Sequence, residues 1–228
     1  MISIVLLAYQ METFLDETIS SLTAQSVGYE LVAVDNGSTD GTTEVLREAG
    51  ARIENFRFLR LPGVPVARAR NCGVDAATGE FIALLDGDDL WDKDKLKRQA
   101  RYLESEPSSL GVVCHMRRFL SKGCSLPPGY SEEMFETPVP AFIPSALMVR
   151  REAFEEIGPY DETLGVGSDS EWMVRMMEAQ QPHLLPDTLL SKRVHQNNFS
   201  AQVEAYRKEM LTALRRSLVR RGHLSRES

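Results

Sequence analysis

Cysteine is scarce in this chain: three in 228 residues, Cys72, Cys114 and Cys124, with no Cys-x-x-Cys pair. An odd, widely spaced set argues against a disulfide scaffold and a structural zinc site, and fits a reducing compartment. No apolar run approaches the roughly 18–20 residues of a membrane span. A basic excess is missing too: the formal net charge is −7, which argues against a general nucleic-acid binder. After the first apolar run stands Ala8-Tyr9-Gln10-Met11 instead of Gly-x-Gly-x-x-Gly, which disfavours a dinucleotide-binding site, and no phosphate-loop motif occurs. The N-terminal run Ile2–Ala8 lacks the basic flank of a secretory signal and reads as a strand. With 43% hydrophobic and 26% charged residues, the remaining expectation is a soluble, cytoplasmic α/β domain.

Apolar periodicity alternates strand and helix through the first half. Strands are expected at Ile2–Ala8, Tyr29–Val34, Arg52–Leu61 and Glu80–Leu85. Helices are expected around Phe14–Leu22, Thr42–Ala49, Pro65–Ala77 and Asp92–Ser105, the last opening on a capping Asp. Such alternation implies a parallel sheet covered on both faces. The second half is less regular. Gly111–Arg118 and Ser145–Val149 read as strands, Leu120–Pro144 as a long loop, Glu152–Ile157 and Ser168–Ala179 as helices. Leu184–Val194 reads as a strand holding a Pro-Asp turn, and Gln202–Arg221 as a long amphipathic helix.

Ligands of open parallel sheets bind beyond the carboxyl ends of the strands. The second expected strand ends at Asp35; the fourth runs into Asp86-Gly87-Asp88-Asp89. Carboxylates this close raise one another's pKa unless a cation joins them, and magnesium or manganese would do so together with substrate phosphates. Asp86 and Asp88 are the candidates; Asp89 and Asp92 read more readily as turn and cap residues. Asp35 can accept hydrogen bonds from a nucleobase or shape the Asn-Gly turn that follows it. Arg68 and Arg70 can reach phosphates or pair with the acids. Farther along, Ser168 and Glu171 have the spacing of a capping box, on a helix whose buried face would be Trp172, Met173, Met176 and Met177. Asp169 then remains in the first turn, either as a surface acid or as a general base facing a cleft.

Charge is uneven. Lys192 to Ser228 carries a balance of +6 and the rest of the chain −13. A basic C-terminal helix suggests attraction to an anionic surface, whether membrane, nucleotide or partner. The same run also fits a solvated face over a core or dimer stripe of Leu211, Leu214, Leu218 and Val219.

Taken together, Val34-Asp35-Asn36-Gly37-Ser38-Thr39-Asp40, Ala69-Arg70-Asn71-Cys72-Gly73, Asp86-Gly87-Asp88-Asp89 and Ile157-Gly158-Pro159-Tyr160-Asp161 resemble family-2 glycosyltransferases in order and spacing, from about Ile2 to Ser200. The resemblance implies a GT-A fold: a single, mostly parallel, twisted sheet flanked by helices. Residues 1–200 would form that domain, with 1–105 as the nucleotide-binding half and 106–200 as the acceptor half, and residues 201–228 a C-terminal basic helix and tail. It further implies an inverting transferase using a nucleotide-diphospho-sugar, most commonly a UDP-sugar, and a divalent ion, manganese or magnesium. Asp35 would bind the base, Tyr9 and Arg70 would join the nucleotide site, Asp86 would take ribose or metal, and Asp88 the metal. Asp169 would be the catalytic base. The segment Arg193-Val194-His195-Gln196-Asn197 resembles a family Arg-x-His element, making His195 a metal or diphosphate ligand, with a structural histidine as the other reading. The acceptor would be a glycan, a lipid-linked sugar or a small molecule, on a cytoplasmic protein that touches the membrane or dimerises through its last helix. Two departures, Gln10 for Asn and Ser168 for Glu, motivate an alternative: a degenerate nucleotide-sugar-binding subunit without transfer. A phosphohydrolase using Asp86 as nucleophile is a more remote competitor, because its acid pair belongs on a first strand.

Overall fold

The computed structural model describes residues 1–127, 129–196 and 203–222. In chain order the strands are β1 (Ile2–Ala8), β2 (Glu30–Asp35), β3 (Phe56–Arg60), β4 (Phe81–Asp86), β5 (Leu90–Trp91), β6 (Gly111–Leu120), β7 (Val139–Ala141), β8 (Met148–Arg150) and β9 (His183–Val194). The helices are α1 (Glu12–Thr23), α2 (Thr42–Gly50), α3 (Val66–Ala76), α4 (Lys95–Ser105), α5 (Glu133–Glu136), α6 (Glu152–Ile157), α7 (Ser168–Ala179) and α8 (Val203–Arg220).

One sheet runs β3-β2-β1-β4-β8-β6-β9-β5, with β7 added to β6. Strands β1 to β4 are mutually parallel, and β6 and β9 run the same way; β5, β7 and β8 oppose them. The mostly parallel α/β sheet expected from the sequence is therefore present. Side chains alternate across it. Ile4, Leu6, Leu31, Ala33, Ala83 and Leu85 pack under α1, α2 and α4. Val5, Val32, Val34, Ile82 and Leu84 face α3, α6 and α7. Burial on both faces is why these strands read as unbroken apolar runs. Each fully buried Leu or Ile contributes about 1.5–3 kcal/mol by leaving water. Register then sets the site: Asp35 lies opposite Ala8, and Asp86 opposite Leu7, so three strand ends finish level.

Several expectations are corrected. Ser145 belongs to a single 3-10 turn, Pro144–Ala146, and only Met148–Arg150 is strand. The loop expected at Leu120–Pro144, whose residue 128 lies outside the described residues, contains α5 and β7. Pro186 and Asp187 make no turn; β9 continues through them with register shifts opposite Val113, His115 and Met116, where a bulge absorbs a residue lacking an N–H. Helix α4 starts at Lys95, three residues late, and Asp92 accepts from the Asp94 N–H instead of capping it directly. The capping box at α7 does not form: Gly167 is the N-cap, the Ser168 hydroxyl donates to the Gly165 carbonyl (2.9 Å), and Glu171 pairs with Arg175 (2.9 Å). Met177 is 41% exposed, so the buried face of α7 is Trp172, Met173 and Met176.

The largest correction concerns α8. Leu211, Leu214 and Leu218 are 69%, 50% and 40% exposed and form no buried stripe. The helix docks through its other face, where Ala213 and Ser217 are buried. Glu209 accepts from the backbone N–H groups of Gly165 and Gly167, Arg216 pairs with Asp161, and Ser217 and Arg220 bind Glu178. Gln202 and the tail beyond residue 222 lie outside the described residues.

Candidate active site

The ends of β2 and β4 and the first turn of α7 deliver the acids, and the end of β9 delivers Lys192 and Arg193. Asp86 closes β4, and its backbone N–H donates to the Ser145 hydroxyl at 3.2 Å. The turn after it is held by Thr18 of α1, whose hydroxyl donates to the Gly87 carbonyl at 3.0 Å. That support places Asp86, Asp88 and Asp89 so that one oxygen from each lies within 4.8 Å of the others. Opposite, the end of β9 brings in Lys192, Arg193 and His195. The Lys192 Nζ lies 3.0 Å from Asp89 Oδ2 and 3.7 Å from Asp86 Oδ2. The Arg193 backbone N–H donates to Asp89 Oδ1, and its guanidinium donates to the Asp88 carbonyl and to Glu17 while lying between the Phe14 and Phe119 rings. His195 Nε2 is 3.1 Å from Asp88 Oδ2, with its ring against Phe14. The two sequence candidates for metal contact, Asp88 and His195, are thus brought together across 107 positions. Asn197, the last residue of that motif, lies outside the described residues.

Arg70 ties the acids to the far helix. Its guanidinium donates to Asp86 Oδ1 at 2.8 Å and to Asp169 Oδ1, and it lies over the Tyr160 ring at 5.9 Å. Its side chain is only 5% exposed, against 28% for Asp86 and 27% for Asp169, so the pair of acids faces outward over a buried cation. The motif around it has structural reasons. Asn71 donates to the Tyr160 carbonyl (3.0 Å) and accepts its N–H (2.9 Å), clamping α3 to the segment before α7. At Gly73 a Cβ would come within 2.4 Å of Val5, so only glycine lets α3 lie this close to β1. Arg68 is exposed and only approaches Glu162 at 3.9 Å, so it stands apart from the acids.

Asp35 is fully buried. Its oxygens accept from the Ser38 N–H (2.9 Å), the Thr43 hydroxyl and Arg60 Nη1 (3.3 Å). Asn36 exchanges two hydrogen bonds with Val64. Gly37 has φ +82°, and a Cβ there would meet the Gly63 nitrogen at 2.6 Å, which makes glycine necessary on both counts. Gln10 has φ +55°; its Oε1 accepts from the Thr39 N–H at 2.7 Å while its own N–H donates to Ser38 Oγ, so it joins the loop after β1 to the loop after β2. Tyr9, between them, is 56% exposed.

The electrostatics follow from burial and pairing. Burial pushes the Asp169 carboxyl up to about 6; Arg70 opposes the rise and Asp86 adds to it. Burial would also raise Asp88, but the Lys192 charge and the His195 hydrogen bond outweigh it and hold the group below the ordinary aspartate value. Burial disfavours charged Lys192 and Arg70, yet the surrounding carboxylates raise both above their ordinary values. A set of convergent carboxylate oxygens beside an imidazole is hard-donor chemistry, suited to magnesium or manganese and unsuited to a thiophilic ion. Sequence reasoning missed Lys192, Arg60, Ser145 and Asn71. Only Asn71 carried a local signal, as part of its motif; Arg60 and Lys192 are recruited by strand pairing from distant positions, and Ser145 by the 3-10 turn packed against the end of β4.

Residues 3–158 match Glycosyl transferase family 2. An uncharacterized glycosyltransferase of Nostoc sp. (strain PCC 7120) is 29% identical over 174 residues, 70% of this chain and 54% of that protein. An uncharacterized glycosyltransferase of Haemophilus influenzae is 34% identical over 108 residues, 45% of this chain and 42% of that one. The chain therefore spans about half the length of these curated relatives. Among solved structures, the fold is similar to S. aureus TarS 1-349 in complex with UDP-GlcNAc, with a TM-score of 0.78 at 19% identity over 96% of this chain and 65% of that one. It is also similar to the mannosyltransferase PcManGT from Pyrobaculum calidifontis in complex with GDP-Man and Mn2+, with a TM-score of 0.74 at 18% identity over 95% of this chain and 64% of that one. With the family match running over more than half of its length, the chain belongs to glycosyl transferase family 2.

Proposed function

We propose that the protein transfers a sugar from a nucleotide-diphospho-sugar, a UDP-sugar, to an acceptor hydroxyl with inversion. The observation that carries this reading is Asp169, a partly exposed carboxylate pushed up to about 6 and joined through Arg70 to Asp86 at the end of β4. Asp169 takes the proton of the acceptor hydroxyl as that oxygen attacks the anomeric carbon. The bond from that carbon to the diphosphate oxygen breaks, and its electron pair leaves with the diphosphate. Arg70 holds Asp169 in place through this step and keeps it from rotating away from the acceptor. A divalent ion, manganese or magnesium, bound by Asp88 and His195 with Asp86 beside them, would supply positive charge to the leaving diphosphate. Asp35 and the exposed Tyr9 would form the base subsite, where Arg60 now occupies one Asp35 oxygen. Complexes of similar folds with UDP-GlcNAc, or with GDP-Man and Mn2+, support a nucleotide-sugar donor and an ion here.

Thermal unfolding against UDP, GDP, dTDP and CMP, each with and without manganese, tests the reading. A ligand at 100 times its dissociation constant adds about 2.7 kcal/mol of stability. A melting shift with UDP that grows with manganese is expected; no shift with any nucleotide would sink the proposal. The degenerate-subunit alternative draws on Ser168, which is fully buried and spends its hydroxyl on Gly165, so it cannot replace an acceptor-facing Glu. Transfer activity lost with Asp169→Asn separates the two.

We further propose that the outward face of α8 rests on an anionic lipid bilayer. Leu211, Leu214 and Leu218 stand exposed there, flanked by Arg207, Arg215 and Arg221, opposite the face docked on α7. No helix among the described residues is long and apolar enough to cross a membrane, so this contact would be peripheral.

A further inference from the structure

Lys192 already stands where a cation is wanted. Its ammonium lies 3.0 Å from Asp89 Oδ2 and 3.7 Å from Asp86 Oδ2, two of the three carboxylates that converge for an ion. The other cations near the cluster are locked. Arg70 bridges Asp86 and Asp169 beneath the surface, and Arg193 is held by Glu17 and the Asp88 carbonyl between two phenyl rings. Lys192 reaches the cluster on a flexible four-carbon stem and is 22% exposed, so its head group can turn toward a ligand at the mouth without disturbing β9. Asp89 is fully buried, and its two oxygens are engaged by the Lys192 ammonium and the Arg193 N–H. That arrangement makes Asp89 the anchor that holds the lysine, while Asp86, paired with Arg70, and Asp88, bonded to His195, are the carboxylates that would meet an ion.

We infer that Lys192 is a resident counter-ion of the acidic cluster: it competes with the divalent ion in the nucleotide-free protein and passes to the diphosphate when nucleotide and ion bind together. The inference rests on the nucleotide-sugar reading above. A bound ion repels the ammonium from Asp86, and a diphosphate gives it anionic oxygens to meet. Each ligand then favours the other by the same factor, as linkage requires. The site stays neutralised when empty, and a lone metal ion is held weakly.

The test is Mn2+ binding to the full chain, followed by loss of the free-ion electron paramagnetic resonance signal with and without UDP. Lys192→Gln removes the charge yet keeps an N–H for the buried Asp89. Lys192→Arg keeps the charge, and Lys97→Met on the exposed side of α4 controls for net charge alone. In the unaltered protein, UDP is expected to tighten Mn2+ binding at least tenfold. In K192Q, Mn2+ alone should bind at least tenfold more tightly and the UDP effect should fall below threefold, with K192R restoring the coupling and K97M leaving it intact. Equal Mn2+ affinity and equal UDP enhancement in K192Q and the unaltered protein would overturn the role of Lys192 and leave the nucleotide reading standing. Failure of the unaltered protein to bind UDP at any Mn2+ concentration would overturn both.

Discussion

Asp169 meets two demands of a general base that usually conflict. It is buried enough for its carboxyl to rise to about 6, so that it accepts a proton readily, and it is held by Arg70, so that it stays ionised near neutrality. The charged and titratable groups around it are Arg70, Asp86, Lys192 and Tyr160. Because the base works unprotonated, transfer should fall about tenfold per pH unit below about pH 6 and level off above it. Asp169→Asn keeps the shape and removes the base; a loss of about 10²–10⁴ in kcat is expected with UDP affinity nearly unchanged. Initial-rate kinetics across pH 4.5–8 with isothermal titration of UDP check this. A flat pH profile, or full activity in D169N, would remove the assignment.

Elements matter here chiefly through their ends. The ends of β1, β2 and β4 are level by register, but the loops beyond them are built from side chains that bond backbone. Gln10 joins two loops, Asn36 holds a third, and Asn71 binds α3 to the segment leading into α7. Asn71 is the most informative of these, because Arg70 beside it must meet an acid on β4 and an acid on α7 at once. Replacing Asn71 with Ala strands the Tyr160 carbonyl and N–H in a buried place and should cost about 1–3 kcal/mol. The loss should extend to kcat through misplaced Arg70. Urea unfolding of N71A beside its transfer rate measures both; a variant as stable and as active as the parent would contradict the clamp.

Viewed whole, the molecule is an acidic body with a basic last helix whose docked face is polar and whose outer face is leucine and arginine. That inversion of the ordinary amphipathic arrangement suits a surface that meets lipid headgroups and acyl chains. Vesicles containing phosphatidylglycerol should sediment the protein and pure phosphatidylcholine vesicles should not, with binding falling as salt rises. The double variant Leu211→Glu, Leu214→Glu should abolish sedimentation while changing stability by no more than about 0.5 kcal/mol, since both side chains are exposed. Retained sedimentation by that variant would exclude the face. A dimer, seen as a concentration-dependent change in sedimentation velocity, would assign the leucines to a second copy instead.

Local chemistry in the sequence determined most of the framework. Runs such as Phe81–Leu85 read as strands buried on both sides, and an acid that follows such a run emerges at a strand end, where ligands bind. For that reason Asp35, Asp86 and Asp88 were legible as site candidates, whereas Asp169, in the first turn of a helix, became one through the motif spacing that named the family. What the chain alone did not determine is which groups meet. Lys192 lies 103 positions from Asp89, and Arg70 lies 99 from Asp169; their encounters follow from β9 pairing antiparallel to β5 and from α7 packing on α3. The face on which α8 docks was likewise decided by distant partners, Asp161, Gly165, Gly167 and Glu178, whose hydrogen bonds and charge pairs outweighed the burial of three leucines. Periodicity records which residues share a face, and only the tertiary structure supplies what that face meets.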